Sequence, residues 1–171
     1  METSPLGRAE WIKFFGLLYG KEVEADSIFT EVEKNYTELR DKIGVLSSAP
    51  VVISELKSGS AWYMPGGKSY MARFFKDAGA AYPWSDNTET GSIPLSFETV
   101  FNRAGKADIW LIKSFHVSEL SYRTLQKEYA PYARFKAFRE KKIYCCDSSR
   151  CNYYEETPFR PDLLLQELAA L

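Results

Sequence analysis

Apolar residues along the chain follow two different spacings, and the longest regular stretch has the spacing of a helix. It runs from Glu22 to Gly44, and its apolar positions recur three and four residues apart: Phe29, Val32, Tyr36, Leu39 and Ile43. This spacing predicts a long amphipathic helix that Gly44 ends. Because one stripe of it is apolar and the rest is strongly charged, we expect the helix to lie along a surface rather than inside a core.

Three short apolar runs predict buried strands: APVVISEL from Ala49, ADIWLIKSF from Ala107 and KIYCCD from Lys142. Helical patterns separate these runs. One begins after Ser96, a good N-cap, and another is interrupted at Pro131. Strands that alternate with helices are typical of α/β proteins. We therefore expect a three-layer, Rossmann-like α/β lobe with a mostly parallel sheet flanked by helices.

The pattern divides the 171 residues into two parts. Residues 1–45 hold an opening helix, which Gly20 ends, and then the long helix. Gly16 should weaken the middle of the opening helix, because glycine is a poor helix former. Residues 46–171 hold the α/β lobe, and its last helix starts at Pro161.

Aromatic and polar residues concentrate where the predicted strands end, in the segments 57–68, 113–118 and 147–159. Ligands of open parallel sheets bind at the carboxyl ends of the strands. These segments therefore supply the candidate ligand-binding residues, together with the arginine that follows the last of them: Trp62, Tyr63, Phe115, His116, Tyr153 and Arg160. Because adjacent residues of an extended segment point to opposite sides, at least one of Trp62 and Tyr63 should be exposed.

Charge and hydropathy exclude several classes of partner. The formal net charge is -1 and no basic block occurs, so we expect no binding to nucleic acid. The chain has no run of about eighteen apolar residues, and we expect no membrane span in it. It lacks a G-x-S-x-G motif and has a single histidine, so nothing in the sequence demands catalysis.

The motif GGKS at residues 66–69 has some features of a phosphate-binding loop, because glycines and a lysine precede a predicted helix. The full motif needs a glycine where Trp62 stands. Pro65 also lacks a backbone N–H that a phosphate cradle would use. The alternative interpretation is a tight Gly-Gly turn before the helix.

Three cysteines lie close together in the segment YCCDSSRC: Cys145, Cys146 and Cys151. Their spacing lacks the Cys-x2-Cys pattern that is usual in zinc sites. A single bridge from either Cys145 or Cys146 to Cys151 is one alternative, and a buried cysteine on the strand is another.

The order of several segments resembles the periplasmic substrate-binding proteins of ABC importers for cobalamin, haem and ferric siderophores. The segments are SPLGRAEWIKFFGLLYGKEVEADSIF, AWYMPGGKSYMARFFKDAGA, LSFETVFNRAGKADIWLI, ARFKAFREKKIYCCD and RPDLLLQELAAL. In that family two lobes are joined by one long helix. The resemblance implies that this chain is the linker helix and the C-terminal lobe, with the N-terminal lobe outside it. SPLGRAEW and WYMPGGKSY are similar to lipoproteins of Bacteroidetes-type cell envelopes, which implies a periplasmic or cell-envelope location.

The resemblance also implies roles for individual residues. Glu98, in LSFE, matches the glutamate that docks on the permease of the importer. Trp62 matches the aromatic position that contacts the ligand, and Tyr63, Phe115 and Tyr153 are further candidates. The chain would perform no chemistry and need no cofactor or metal of its own, although its cargo would contain iron or cobalt. The competing hypothesis is a non-transport α/β enzyme subunit of nitrogenase-component-like architecture, with a metal site built from the cysteines.

Overall fold

The computed structural model describes residues 2–44, 49–115 and 120–171. The helices are α1 Pro5–Ala9, α2 Trp11–Tyr19, α3 Glu22–Ile43, α4 Tyr70–Asp77, α5 Phe97–Ala104, α6 Tyr122–Glu128, α7 Lys136–Arg139, α8 Tyr153–Glu156 and α9 Pro161–Ala169. The strands are β1 Val52–Ser54, β2 Lys57–Ser58, β3 Ala61–Pro65, β4 Ser92–Leu95, β5 Ile109–Ser114 and β6 Ile143–Asp147. A 3₁₀ helix spans Ala130–Arg134 and contains Pro131, the residue that was predicted to interrupt this helical stretch.

The centre of the fold is a parallel sheet with the strand order β1-β5-β6. Ile53 pairs with Trp110, and Lys113 pairs with Cys146. These strands are the three runs that the sequence predicts, but β6 lies at the edge of the sheet and is half-buried or exposed along its length, so its predicted burial was wrong. The α/β class, with a parallel sheet flanked by helices, is therefore confirmed.

A second, antiparallel sheet with the order β2-β3-β4 was not predicted. Segment 57–68, expected to be a loop, instead forms the hairpin of β2 and β3, whose turn contains Gly59 with a φ of 59°. Strand β3 pairs along its length with β4, with Trp62 opposite Leu95. The expectation was wrong because this pairing joins segments about thirty residues apart, and no local pattern in β3 reveals it.

Four large rings pack together between the two sheets. The rings of Trp62 and Trp110 have centroids 5.3 Å apart, and Tyr132 and Phe135 lie 5.1 and 5.2 Å from Trp110. The indole N–H of Trp62 donates to the carbonyl of Ser54 at 3.0 Å. Buried indoles need such an acceptor, so this cluster fixes the carboxyl end of β1.

The long helix α3 has the bounds that the sequence predicts, and its 22 residues span about 33 Å. Tyr36, on its apolar stripe, donates a hydrogen bond of 2.8 Å to Asp77 at the end of α4. The sequence predicts only that Gly16 weakens the opening helix, whereas the structure shows that this glycine also has a role in helix packing. A Cβ at this position would lie 2.5 Å from the Cβ of Ala25, so Gly16 allows α2 and α3 to approach closely.

Within the described ranges, the structure has no helix that is both long enough and apolar enough to cross a membrane.

Candidate ligand-binding site

A cavity of about 460 Å³ opens where β1 and β5 end, and we call it the recess. Its lining residues come from both sheets, from α4 and from the start of the chain: Thr3, Arg8, Glu55, Tyr63, Pro65, Ser69, Tyr70, Met71, Thr90, Gly91, Ser92 and Lys113. Because ligands of open α/β sheets bind at the carboxyl ends of the strands, this is the expected edge of the fold.

Glu55 follows β1 directly and adopts the left-handed conformation, with a φ of 64°. Its N–H donates to the carbonyl of Leu111 at 2.9 Å, and its carbonyl accepts the indole N–H of Trp110, also at 2.9 Å. A positive φ is uncommon for a residue other than glycine, and strained positions of this kind concentrate at functional sites. Both neighbours therefore hold the Glu55 backbone in place.

The Glu55 carboxyl group is half-buried at the wall of the recess. Burial raises its pKa, and the positive charge of Lys113 partly opposes this effect. The Glu55 carboxylate in the recess has thus lost part of its hydration, which disfavours its charged form.

Two cations also line the recess. The Lys113 ammonium group lies 5.3 Å from the ring centre of Tyr153 and 5.5 Å from that of Tyr154. The Arg8 guanidinium, also in the lining, lies 3.8 Å above the ring of Tyr70. Rings at these distances stabilise a positive charge without neutralising it. With Glu55 as the acid of the lining, the formal charge of the recess is positive.

Two of the predicted ligand-binding residues present aromatic surface at this edge. Tyr63 lines the recess and is 49% exposed, and Phe115, just after β5, is 73% exposed. Tyr153 is half-buried, and its hydroxyl donates to the Met71 sulfur at 3.3 Å. Tyr63 thus lines the recess and Tyr153 lines a neighbouring cavity, and Met71 and Lys113 line both.

The structure contradicts one predicted ligand-binding residue, places a second outside the recess lining and does not describe a third. Trp62 is 0% exposed, because the register of β3 with β4 turns its side chain into the core, and it cannot stack on a ligand. Arg160 gives its guanidinium to Asp162, with bonds of 3.0 and 2.9 Å, and is not part of the recess lining. His116 lies outside the described residues.

A second cavity of about 410 Å³ adjoins the recess and shares Glu55, Met71 and Lys113 with it. Its other walls are largely apolar and come from β5, β6 and α9. Ser54, at the end of β1, is buried on this wall, and its hydroxyl has no hydrogen-bond partner among the described residues. Such an orphaned polar atom at a cavity wall is available to a ligand or to water.

Sequence reasoning missed the three charged residues of the recess, Arg8, Glu55 and Lys113. Glu55 and Lys113 each lie at the end of a correctly predicted strand. The rule that ligands bind beyond strand ends therefore applies to both of them. No local signal places Arg8, because only the tertiary fold brings α1 to this edge.

The glycines of GGKS do not form a phosphate cradle. The Gly66 and Lys68 N–H groups donate to the carbonyls of Gly91 and Glu89, at 2.7 and 3.0 Å. A Cβ on Gly66 would lie 2.3 Å from the Glu89 carbonyl oxygen. The turn interpretation therefore accounts for this motif, because the backbone donors are already used inside the fold.

The cysteines do not assemble a metal site in the part of the chain that the structure describes. No group of three or more histidine, cysteine, aspartate or glutamate residues there could hold a metal ion. The geometry of these residues thus gives no support to the competing hypothesis of a cysteine-ligated enzyme subunit.

Glu98 lies in the first turn of α5, and its side chain is exposed. Ser96 caps this helix as predicted, and its hydroxyl accepts the N–H of Thr99 at 3.1 Å. A carboxylate here interacts favourably with the helix dipole. The helix dipole is therefore a sufficient structural reason for a glutamate at position 98.

Solved structures share this fold. One is a possible iron-binding (periplasmic solute-binding) protein from Staphylococcus epidermidis. The match covers 99% of this chain and 63% of that protein's chain, at 19% identity and a TM-score of 0.75. Another is S. aureus IsdE, solved with heme. The match covers 98% of this chain and 64% of the IsdE chain, at 20% identity and a TM-score of 0.72. A third is a Saccharomonospora viridis protein of an ABC-type Fe3+-hydroxamate transport system. The match covers 95% of this chain and 53% of that protein's chain, at 14% identity and a TM-score of 0.71.

Sequence comparison extends the likeness. An uncharacterized lipoprotein of Methanocaldococcus jannaschii is 30% identical over the whole chain, and a second one from the same organism is 27% identical over 90% of it. The chain spans about two fifths of the length of these relatives. Residues 1–149 match the sequence model of the family described as "Periplasmic binding protein". Since this match covers most of the chain, the protein belongs to the periplasmic binding protein family.

Proposed function

We propose that this chain is the linker helix and C-terminal lobe of a substrate-binding protein of the cell envelope. In this proposal residues 1–45 supply the linker and residues 46–171 form the lobe. The protein captures an iron chelate, either a ferric siderophore or haem, or a corrinoid, and delivers it to the permease of an ABC importer without any chemical step. The observation that carries the proposal is the recess, with its two cations and its exposed tyrosine at the strand ends.

Among these candidate ligands, the positive charge of the recess favours anionic ones. Arg8 and Lys113 would attract carboxylate or other anionic groups of a chelate, and Glu55 would accept hydrogen bonds from its donors. Tyr63 and Phe115 offer ring surface to a flat or aromatic ligand. An anionic iron chelate fits this arrangement better than a corrinoid. The likeness to IsdE, which binds heme in its structure, supports the same choice.

A single lobe supplies only one wall of a cleft between two lobes. The ligand would leave its other face in water, and half of the contacts would be missing. We therefore expect this chain to bind more weakly than the two-lobe protein to which we assign it.

The test is an absorbance titration with haemin, a ferric hydroxamate siderophore and cyanocobalamin, on this chain and on the two-lobe protein. We expect saturable binding of one iron chelate, and Tyr63→Ala should raise its Kd about tenfold, equivalent to about 1.4 kcal/mol. Tyr19→Ala, which removes a ring that is 78% exposed on α2, is the matched control and should leave Kd unchanged. No saturation of the two-lobe protein by any of the three ligands would refute the cargo assignment.

Glu98 is the residue we propose for docking on the permease. Its exposed carboxylate is free of the recess, so Glu98→Gln should leave cargo affinity unchanged and weaken the complex with the permease. Glu140→Gln, at another exposed carboxylate, is the control. Equal permease affinity of both variants would exclude this role for Glu98.

A further inference from the structure

Two cysteine thiols face each other at the end of β6, one within the strand and one in the turn that follows it. The Cys146 sulfur lies 3.2 Å from the Cys151 sulfur; the first is half-buried and the second exposed. Cys145, the other cysteine of the strand, lies with its sulfur 3.2 Å from the hydroxyl of Ser114. Because neighbouring residues of a strand point to opposite faces, Cys145 cannot share the position of Cys146. Of the two bridges that the sequence leaves open, the structure therefore favours Cys146 with Cys151.

The turn between the two cysteines is built to hold them together. The Asp147 carbonyl accepts the N–H groups of Arg150 and Cys151, at 3.0 and 3.2 Å, and the Asp147 carboxylate accepts the N–H of Ser149 at 3.0 Å. Ser148 donates its N–H to the carbonyl of Ser114 at 2.9 Å, which anchors the turn to β5. The backbone thus returns Cys151 to the strand through its own hydrogen bonds.

We propose that Cys146 and Cys151 form a reversible disulfide, and that this pair is a redox modification site beside the recess. A disulfide bond measures about 2.05 Å between the sulfurs. The two atoms must therefore approach by only about 1.2 Å, which side-chain rotation can supply.

The reaction needs an oxidant, and a small disulfide such as oxidised glutathione supplies it. The Cys151 thiolate attacks one sulfur of the oxidant, forms a mixed disulfide and releases one thiolate. The Cys146 thiol loses its proton to solvent and attacks the Cys151 sulfur, which releases the second thiolate. The chain loses two protons and two electrons, and the oxidant is reduced to two thiols. The order follows exposure, and burial also raises the pKa of Cys146 to about 12, with Cys151 adding to the effect.

The bridge would restrain the segment that leads into α8. Tyr153, two residues after Cys151, reaches Met71 with its hydroxyl and lies beside the Lys113 ammonium group. Both Met71 and Lys113 line the recess. Oxidation of the pair would therefore limit the motion of Tyr153 relative to the recess.

The test counts thiols in this chain, after incubation with glutathione buffers from fully reduced to fully oxidised. Samples are quenched in acid, denatured, labelled with N-ethylmaleimide and weighed by mass spectrometry. We expect the number of labels to fall from three to one, since the chain has three cysteines. Trypsin cuts after Arg150 and separates peptide 143–150 from peptide 151–171, so the bridge should appear as these two peptides joined.

Serine variants identify the partners. Cys145→Ser should still form the joined peptides, whereas Cys146→Ser and Cys151→Ser should not. Three labels in every buffer would overturn the proposal, and so would joined peptides that persist in Cys146→Ser. Because the count needs no cargo, its failure would leave the proposed transport function standing, and the absence of cargo binding would leave the disulfide standing.

Discussion

Glu55 is the residue at which stability and the proposed binding role conflict. Its carboxyl pKa is raised by burial, so the folded chain holds the proton more tightly than the unfolded chain does. As pH rises above the ordinary carboxyl value of 4.5, ionisation therefore costs the folded state stability. The position is retained in a left-handed conformation by bonds to Leu111 and Trp110.

We predict that Glu55→Gln stabilises the chain at pH 7 by about 0.5 kcal/mol, or roughly 1–2 °C in Tm. The gain should shrink as pH falls towards 4.5, because the wild-type carboxyl group becomes neutral as well. Urea unfolding at several pH values measures both effects, with Glu140→Gln as the exposed control. A variant less stable than wild type at pH 7 would mean that the carboxylate makes a favourable contact.

At the scale of elements, the contact between α2 and α3 depends on the missing side chain of Gly16. We predict that Gly16→Ala destabilises the chain by about 1–3 kcal/mol, although alanine is the better helix former, because the new methyl group would collide with Ala25. Gly44→Ala is the control, since its Cβ would meet nothing closer than 3.6 Å. Chemical unfolding gives the values. The pair Gly16→Ala with Ala25→Gly should recover stability, and no recovery would place the strain elsewhere.

The same scale explains which elements the sequence could predict. The helix α3 and the strands β1, β5 and β6 carry their own periodicity or apolar runs, and all four were found. The hairpin of β2 and β3 was missed because its partner β4 lies far along the chain. The sequence predicted that at least one of Trp62 and Tyr63 would be exposed, but only the register with β4 decides that Tyr63 faces the recess.

For the whole molecule, Asp108 ties the start of the sheet to α7. Its carboxylate accepts the N–H of Val51 at 2.9 Å and pairs with the Lys136 ammonium group at 2.5 Å. The bond from Lys136, and then that from Val51, lowers the Asp108 pKa below its ordinary value of 3.8. The contribution to stability is thus complete above about pH 4 and is lost as pH falls through the lower folded pKa.

We predict that Asp108→Asn lowers the stability of the whole chain at pH 7 by about 0.5–1 kcal/mol. The difference from wild type should narrow below pH 3.8, where the wild-type carboxylate takes up its proton. Thermal unfolding followed by circular dichroism from pH 2 to pH 7 provides the measurement. Asp86→Asn is the control. It removes a surface ion pair with Arg103 and should change the stability little at any pH in this range. A constant difference across this range would show that the charge of Asp108 is not responsible.

The burial of Trp62 has a consequence for light emission. Trp62, Trp84 and Trp110 are all buried, and Trp11 is the exposed member of the four tryptophans. Most of the intrinsic fluorescence should therefore arise from rings that iodide cannot reach, and emit at the short wavelengths typical of indoles shielded from water. A coloured cargo in the recess would quench those rings by transfer of excitation energy through space, without touching them. If the cargo quenches the emission of the buried tryptophans and iodide does not, the quenching would thus show that the recess is occupied.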